Sequence, residues 1–176
     1  MVDLVSQRVR LRPASLDDAE ARLALGADVD IAEMFGVSRS DAKPMTKDGA
    51  LKWAKGQAEN PHAWIIEIEG RLIGEIKLHS FNVHDRRASM AVGIYDPGVL
   101  GKGIGTQAIH LLLQHAFGEL KLHRIGIRVL AYNTRAIRAY EKCGFVREGR
   151  ERETAFVNGA WHDDIMMGLL ATEYRT

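Results

Sequence analysis

The chain has a single cysteine and no CxxC pair, so neither an intramolecular disulfide nor a thiolate zinc site can hold it together. It must rest on its own packing, which suits a reducing compartment, and a cytoplasmic location is expected. No apolar run approaches the ~20 residues of a membrane span. The opening MVDLVSQRVRLRP lacks the apolar stretch of a signal peptide, so no membrane partner is expected. An excess of one charge is missing too: 24 Lys and Arg stand against 23 Asp and Glu, a net charge of +1, which sets nucleic acid aside as a partner. Repeats, linkers and low-complexity segments are absent. What is present, 176 residues with 46% hydrophobic and 27% charged side chains, is enough for one soluble domain, residues 1–176, with a proper core.

Periodicity then orders the elements. Val9 and Leu11 alternate with Arg8, Arg10 and Arg12 up to Pro13, a half-buried first strand. Ser15 stands as the N-cap of a helix running to about Gly26, with Asp17, Asp18 and Glu20 favourably placed on its dipole. Residues 28–45 read as short helical pieces and loop, and Thr46 caps a second helix that closes near Asn60-Pro61. From Ala63 the period changes to two. WIIEIEG, a turn at Glu69-Gly70, RLIGEIKLHSF, a polar break over residues 84–87 and RASMAVGIY form an antiparallel meander. A helix over Thr106–Leu120, a strand over Arg124–Ala131 and a helix over Thr134–Cys143, ended by Gly144, follow. Phe145–Val157 and Ala160–Leu170 flank Asn158-Gly159, a hairpin turn.

Between a strand and the strongest helix lies Leu100-Gly101-Lys102-Gly103-Ile104-Gly105-Thr106. Glycines let backbone N–H groups approach a phosphate, and a helix N-terminus adds unpaired donors, so a diphosphate is the natural guest; an ordinary glycine-rich turn is the alternative. A P-loop would need Gly at position 96 and Ser or Thr at 103, where Asp96 and Gly103 stand. A Rossmann fingerprint would need Gly or Ala where Thr106 stands, and an acid at the end of the next strand.

The loop resembles the acetyl-coenzyme A (acetyl-CoA) pyrophosphate loop of the GNAT superfamily of N-acetyltransferases, with Gly103 and Gly105 matching and Leu100 at the usual Gln/Arg position. Asn133, Ala136, Tyr140, Gly144 and Phe145 are spaced as in the family's second signature. RVRLRPAS, RLIGEIKL and VNGAWHDDIMMGLL are similar to the Rim-type branch, which contains ribosomal-protein N-terminal acetyltransferases. The resemblance implies an α/β fold with a mixed, mostly antiparallel sheet flanked by helices and splayed between its fourth and fifth strands, here Ala88–Tyr95 and Arg124–Ala131. It implies acetyl-CoA as co-substrate, with no metal, and direct attack of an amine on the thioester. The acceptor would be a small amine or a peptide N-terminus, and a homodimer is compatible with it.

On the matching positions, pantetheine would lie along Gly93, Ile94 and Tyr95, whose backbone could polarise the thioester carbonyl, and the loop residues Leu100, Gly101, Lys102, Gly103, Gly105 and Thr106 would take the diphosphate. Asn133 and Ala136 would complete the cofactor contacts, and Tyr140 would protonate the leaving sulfur. Tyr140 is equally readable as a core aromatic, and Asn133 as a turn residue or helix cap. Many Rim-type relatives carry a glutamate where Ser89 stands. Glu75 and His79, on one face of their strand, are replacement bases, or solvated strand residues. Met34, Phe35 and Trp53 would wall an acceptor groove or belong to the core. His162-Asp163-Asp164 and the pair His110 and His115 lack metal-ligand spacing, and Cys143 reads as a packed thiol. The rival functions are a CoA-binding module without catalysis, a nucleotide-binding protein and a cofactor-free scaffold.

Overall fold

The computed structural model describes residues 2–175. In chain order it contains β1 (Leu4–Val5), β2 (Arg10–Pro13), α1 (Asp18–Leu25), α2 (Val29–Met34), α3 (Lys47–Ala58), β3 (Ala63–Ile68), β4 (Arg71–Asn82), β5 (Arg87–Ile94), α4 (Ile104–Gly118), β6 (Arg124–Leu130), α5 (Thr134–Lys142), β7 (Val146–Val157) and β8 (Ala160–Leu170). The described strands form one eight-stranded sheet ordered β1-β2-β3-β4-β5-β6-β8-β7, antiparallel except between β5 and β6. The expected mixed, mostly antiparallel sheet is therefore present. The two-residue β1 was not foreseen, so the strands read as fourth and fifth are β5 and β6. Among the described residues no helix is long and apolar enough to cross a membrane.

The turns follow their residues. Glu69-Gly70 and Asn158-Gly159 adopt left-handed φ values of 51° and 77°, and 52° and 81°, which a two-residue hairpin of this twist requires. The Thr46 hydroxyl accepts the Gly49 N–H at 3.0 Å and caps α3 as expected. Ser15, by contrast, caps nothing. Helix α1 begins at Asp18 behind Asp17, and the Ser15 N–H donates to Asp18 Oδ2 at 2.8 Å. Asp18 is itself held by Arg12 at 2.6 and 3.0 Å, and Arg12 reaches Glu67 on β3 at 2.6 Å, so a tertiary ion network fixes where the helix starts. Helix α4 spans Ile104–Gly118, two residues ahead of the expected register at each end, because Gly103, at φ 79°, is its left-handed N-cap.

Alternation along the strands divides the molecule into two layers. Trp64, Ile76, Leu78, Met90, Ile125 and Ile127 face α4, whose Ile104, Ile109, Leu112 and Leu113 are fully buried among them. Each such side chain contributes roughly 1.5–3 kcal/mol. Trp64 meets His115 of α4 edge to face, ring centroids 5.5 Å apart, on this side. The opposite face carries Glu75, Lys77, His79, Ser89, Ala91 and Gly93. Helices α1 and α3 cover part of it, and the Trp53 indole of α3 donates to Glu75 at 2.6 Å.

Candidate active site

Strands β5 and β6 pair over three rungs only, Arg87↔Arg124, Ala88↔Ile125 and Ser89↔Gly126. Beyond them each strand keeps its other neighbour: β5 stays on β4 as far as Ile94, and β6 stays on β8 as far as Leu130. The two must part, and a cavity of about 1120 Å³ opens between them. Backbone groups of β5 facing this gap lack their ladder partners, so they can accept an extended amide-bearing chain as an added strand.

At the cavity's end stands the glycine loop. A 3₁₀ turn, Pro97–Val99, is held by the Asp96 carboxylate accepting the Gly98 N–H at 2.8 Å. Gly101 and Gly103 follow with φ of 75° and 79°, and no heavy atom lies within 4 Å of where a Cβ would stand on either. The first helical bond of α4 runs from the Gln107 N–H to the Gly103 carbonyl. The N–H groups of Ile104, Gly105 and Thr106 therefore have no intrahelical acceptor, and they add to the positive end of the helix dipole. These donors fit a diphosphate. Leu100, Gly101, Gly103, Gly105 and Thr106 all line the cavity; Lys102 does not.

The other expected residues divide between the two faces of the gap. Ile94 lines it, whereas the Gly93 and Tyr95 side positions turn to the opposite face. The Tyr95 ring packs there under the Arg22 guanidinium, 4.2 Å away, and edge-on to Trp53. Ala136 and Tyr140 of α5 line the cavity. Tyr140 is 6% exposed, and its burial raises the phenol pKa, so the hydroxyl stays protonated. Asn133 also lines it, and its side chain has a second employment. Its Oδ1 accepts the Ala136 N–H at 3.1 Å, capping α5, while its Nδ2 donates to the Met34 carbonyl at 3.3 Å.

Of the two candidate bases, His79 lines the cavity and Glu75 does not. Glu75 is engaged by Trp53 and by Lys77, at 2.6 and 3.5 Å. His79 stands opposite Ser89, with Nδ1 3.0 Å from the Ser80 hydroxyl. Partial burial, and after it the Lys77 ammonium, lower its pKa and favour the neutral imidazole. Met34 and the 52%-exposed Phe35 wall this side, held by the Tyr132 hydroxyl donating to the Glu33 carbonyl at 2.7 Å; Trp53 stands behind, away from the cavity.

Sequence reasoning missed one part of the lining. Arg124 and Glu148 form a bidentate ion pair, 2.6 Å at its longer contact, laid over Gly168. A Cβ on Gly168 would stand only 2.6 Å from Arg124 Nη1. Glycine within a strand is a signal for such a close approach, yet nothing local names the partner 24 residues away. Among the described residues, no group of three or more His, Cys, Asp or Glu gathers as a metal site. Asp163 takes Arg150 at 2.7 Å, Asp164 takes the Thr154 hydroxyl at 2.9 Å, and His162 packs edge to face with Tyr132.

Comparison with known proteins agrees with this geometry. The acetyltransferase (GNAT) domain family matches residues 8–146. YjcK of Bacillus subtilis (strain 168), named a probable N-acetyltransferase, is 31% identical over 175 residues, covering 95% of this chain and 96% of that protein. YdaF of the same organism, whose name assigns it provisionally to ribosomal N-acetyl transfer, is 36% identical over 106 residues, 60% of this chain and 57% of its own length. Among solved structures, a spermidine N-acetyltransferase from Vibrio cholerae in complex with CoA and spermine superposes with a TM-score of 0.80 at 26% identity, over 96% of this chain and 99% of that one.

Proposed function

The chain belongs to the GNAT acetyltransferase family, and we propose that it moves the acetyl group of acetyl-CoA onto a small primary amine by direct attack, with no acyl-enzyme. The observation that carries this reading is the parting of β5 from β6 after Ser89 and Gly126, in line with the free N–H groups that open α4.

Acetyl-CoA supplies an activated acyl group; the chain supplies position and proton routes. The N–H groups of Ile104, Gly105 and Thr106, with the open backbone at Gly101 and Gly103, hold the diphosphate. The gap-facing edge of β5 receives the pantetheine amides. His79 takes the proton of the attacking amine. The nitrogen–carbon bond forms as the carbon–sulfur bond breaks, and the Tyr140 hydroxyl returns a proton to the departing thiolate. We assign the base to His79 because it borders the cavity, whereas Glu75 is turned to Trp53.

A peptide N-terminus is the second acceptor reading. It is favoured by the Rim-like segments RVRLRPAS, RLIGEIKL and VNGAWHDDIMMGLL and by the similarity to YdaF. Titration calorimetry with CoA, then thiol release from acetyl-CoA with a panel of amines and short peptides, tests both readings. Binding of CoA with amine-dependent thiol release is expected. ATP displacing CoA, or thiol release independent of any amine, would overturn the proposal.

A further inference from the structure

Strand alternation divides the cavity lining between the two faces of the sheet. Toward α4 its wall is apolar, with Ile94, Ile127 and Val129, while α5 adds the cations Arg135, Arg138 and Lys142. The other part of the lining lies on the face of His79 and Ser89. Two positions further along β6 from Gly126, on that same face and past the last rung with β5, stands Arg128.

Charge on this second face is one-sided. Among the described residues, the carboxylates lining the cavity are Glu148 and Asp164. Glu148 is clamped by Arg124, which holds its carboxyl below the usual range. Asp164 is 5% exposed and takes the Thr154 hydroxyl at 2.9 Å and Arg128 Nε at 3.3 Å. A polyamine entering here would bring its second ammonium to a wall with no unpaired carboxylate. Arg87 and Arg128 line the same cavity with side chains 57% and 62% exposed, and Arg87 meets Asp85 through Nε alone, at 3.4 Å, which leaves its terminal nitrogens open. Arg128 uses Nε on Asp164 and reaches Glu151 only loosely, at 3.9 Å, so its terminal fork remains open to a planar anion.

We infer that the acceptor is a monoamine whose body carries a carboxylate, recognised by Arg128 with help from Arg87, and that polyamines are poor acceptors. This rests on the transferase reading above. The Met34 and Phe35 wall would cover the apolar part of such a molecule. Two sources share the chemistry: a free amino acid, through its α-carboxylate, and a peptide N-terminus followed by an acidic residue.

The test measures thiol release from acetyl-CoA with matched pairs: phenylalanine against phenylalaninamide, and Ala-Asp amide against Ala-Asn amide, with spermidine alongside. In at least one pair the acid should exceed its neutral partner about tenfold in kcat/KM, as expected for a hydrogen-bonded charge pair, with the difference in KM and weakened by salt. The pair that shows it identifies the source. In Arg128→Gln the acid-to-amide ratio should fall toward one. Because that change also frees Asp164, spermidine should improve. Arg128→Lys, which keeps the charge and loses the fork, should give an intermediate ratio. Spermidine as the best acceptor, equal rates within both pairs, or an unchanged ratio in Arg128→Gln would overturn this inference and leave the transferase reading standing. CoA binding by calorimetry with no thiol release from any amine would overturn both.

Discussion

His79 on β4 stands directly opposite Ser89 on β5, in the row of the sheet where β5 makes its last contact with β6 at Gly126. The imidazole therefore sits where the gap begins, and the proposed reaction would bring amine and thioester together there. Burial and the Lys77 charge both disfavour its protonated form, so its pKa lies below the ordinary 6.5. A general base works neutral. The rate should hold at pH 7 and fall as pH drops through that lowered pKa, giving an acidic limb below 6.5 in kcat/KM. Replacing Lys77 by Met should move the limb to higher pH. His79→Gln should remove it and lower the rate by roughly 10²- to 10⁴-fold. If Glu75→Gln abolishes the limb and His79→Gln leaves it, the base is Glu75.

Gly103 combines a left-handed φ of 79° with open space around the missing Cβ. Alanine there meets no protein atom, so the fold bears only the conformational cost, about 1–2 kcal/mol. The space it fills is where backbone must approach a phosphate, so CoA affinity should fall further than stability does. Gly159, at the hairpin tip, has φ 81° and equally open surroundings, and provides the control. Gly159→Ala should show a comparable shift in Tm with CoA affinity intact. Calorimetry finding the same affinity in Gly103→Ala as in the parent would remove the loop from the cofactor site.

How much of this was readable without coordinates depends on the range of the deciding contact. Asn158-Gly159, Glu69-Gly70 and the Thr46 cap are decided within four residues, and the structure has them where periodicity and turn chemistry put them. Ser15 has the right residue type for a cap, but Arg12 and Glu67 organise Asp18 instead, and no local signal reports an ion pair to a strand 55 residues away. Period-two alternation says that Glu75 and His79 share a face. It does not say that α3 covers the Glu75 end and leaves the His79 end on the cavity. The parting of β5 and β6 is a matter of register, which single-strand patterns do not encode; family resemblance supplied it. The Arg124–Glu148 pair over Gly168 joins three separate strands and had no sequence signature beyond the glycine.

Arg12 holds two carboxylates that are otherwise buried, Asp18 and Glu67, with side chains 6% and 11% exposed. Removing the guanidinium leaves Asp18 without its cation and Glu67 with Arg10 alone, 3.5 Å away. Arg12→Ala should therefore cost about 3–5 kcal/mol, the range for breaking a buried pair from one side. Urea denaturation at pH 7 checks it through the midpoint. The double change Arg12→Ala with Asp18→Asn should recover part of the loss, since one stranded charge is removed. A loss under 1 kcal/mol would mean that water reaches both carboxylates.

Cys143 is 3% exposed, and burial pushes its thiol pKa up to about 12, so it holds essentially no thiolate at neutral pH. It cannot serve as an acyl carrier in that state. Cys143→Ala should keep turnover near the parent value, with stability reduced by about 1 kcal/mol for the small void. A thiol reagent should modify the native protein slowly and the urea-unfolded chain at once. Acetylated Cys143 detected by mass spectrometry after rapid quenching would contradict direct transfer.

Tyr140 presents the complementary case, a buried group whose burial suits it to the role proposed for it. Its ring packs near Phe145, centroids 6.1 Å apart, and apolar surroundings raise the phenol pKa well above that of free tyrosine. The hydroxyl is thus kept as a donor across the working pH range, and no basic limb from its ionisation should show below pH 10. Tyr140→Phe keeps the ring and its packing while deleting the proton. Circular dichroism and CoA titration should therefore match the parent. Turnover should fall on the order of 10²- to 10⁴-fold, the usual contribution of a positioned acid. The loss should appear in kcat, because in the proposed mechanism the hydroxyl would act on the thiolate only as the carbon–sulfur bond breaks. A Tyr140→Phe protein that turns over at the parent rate would reduce the residue to a packed ring and leave the leaving thiolate to be protonated by water.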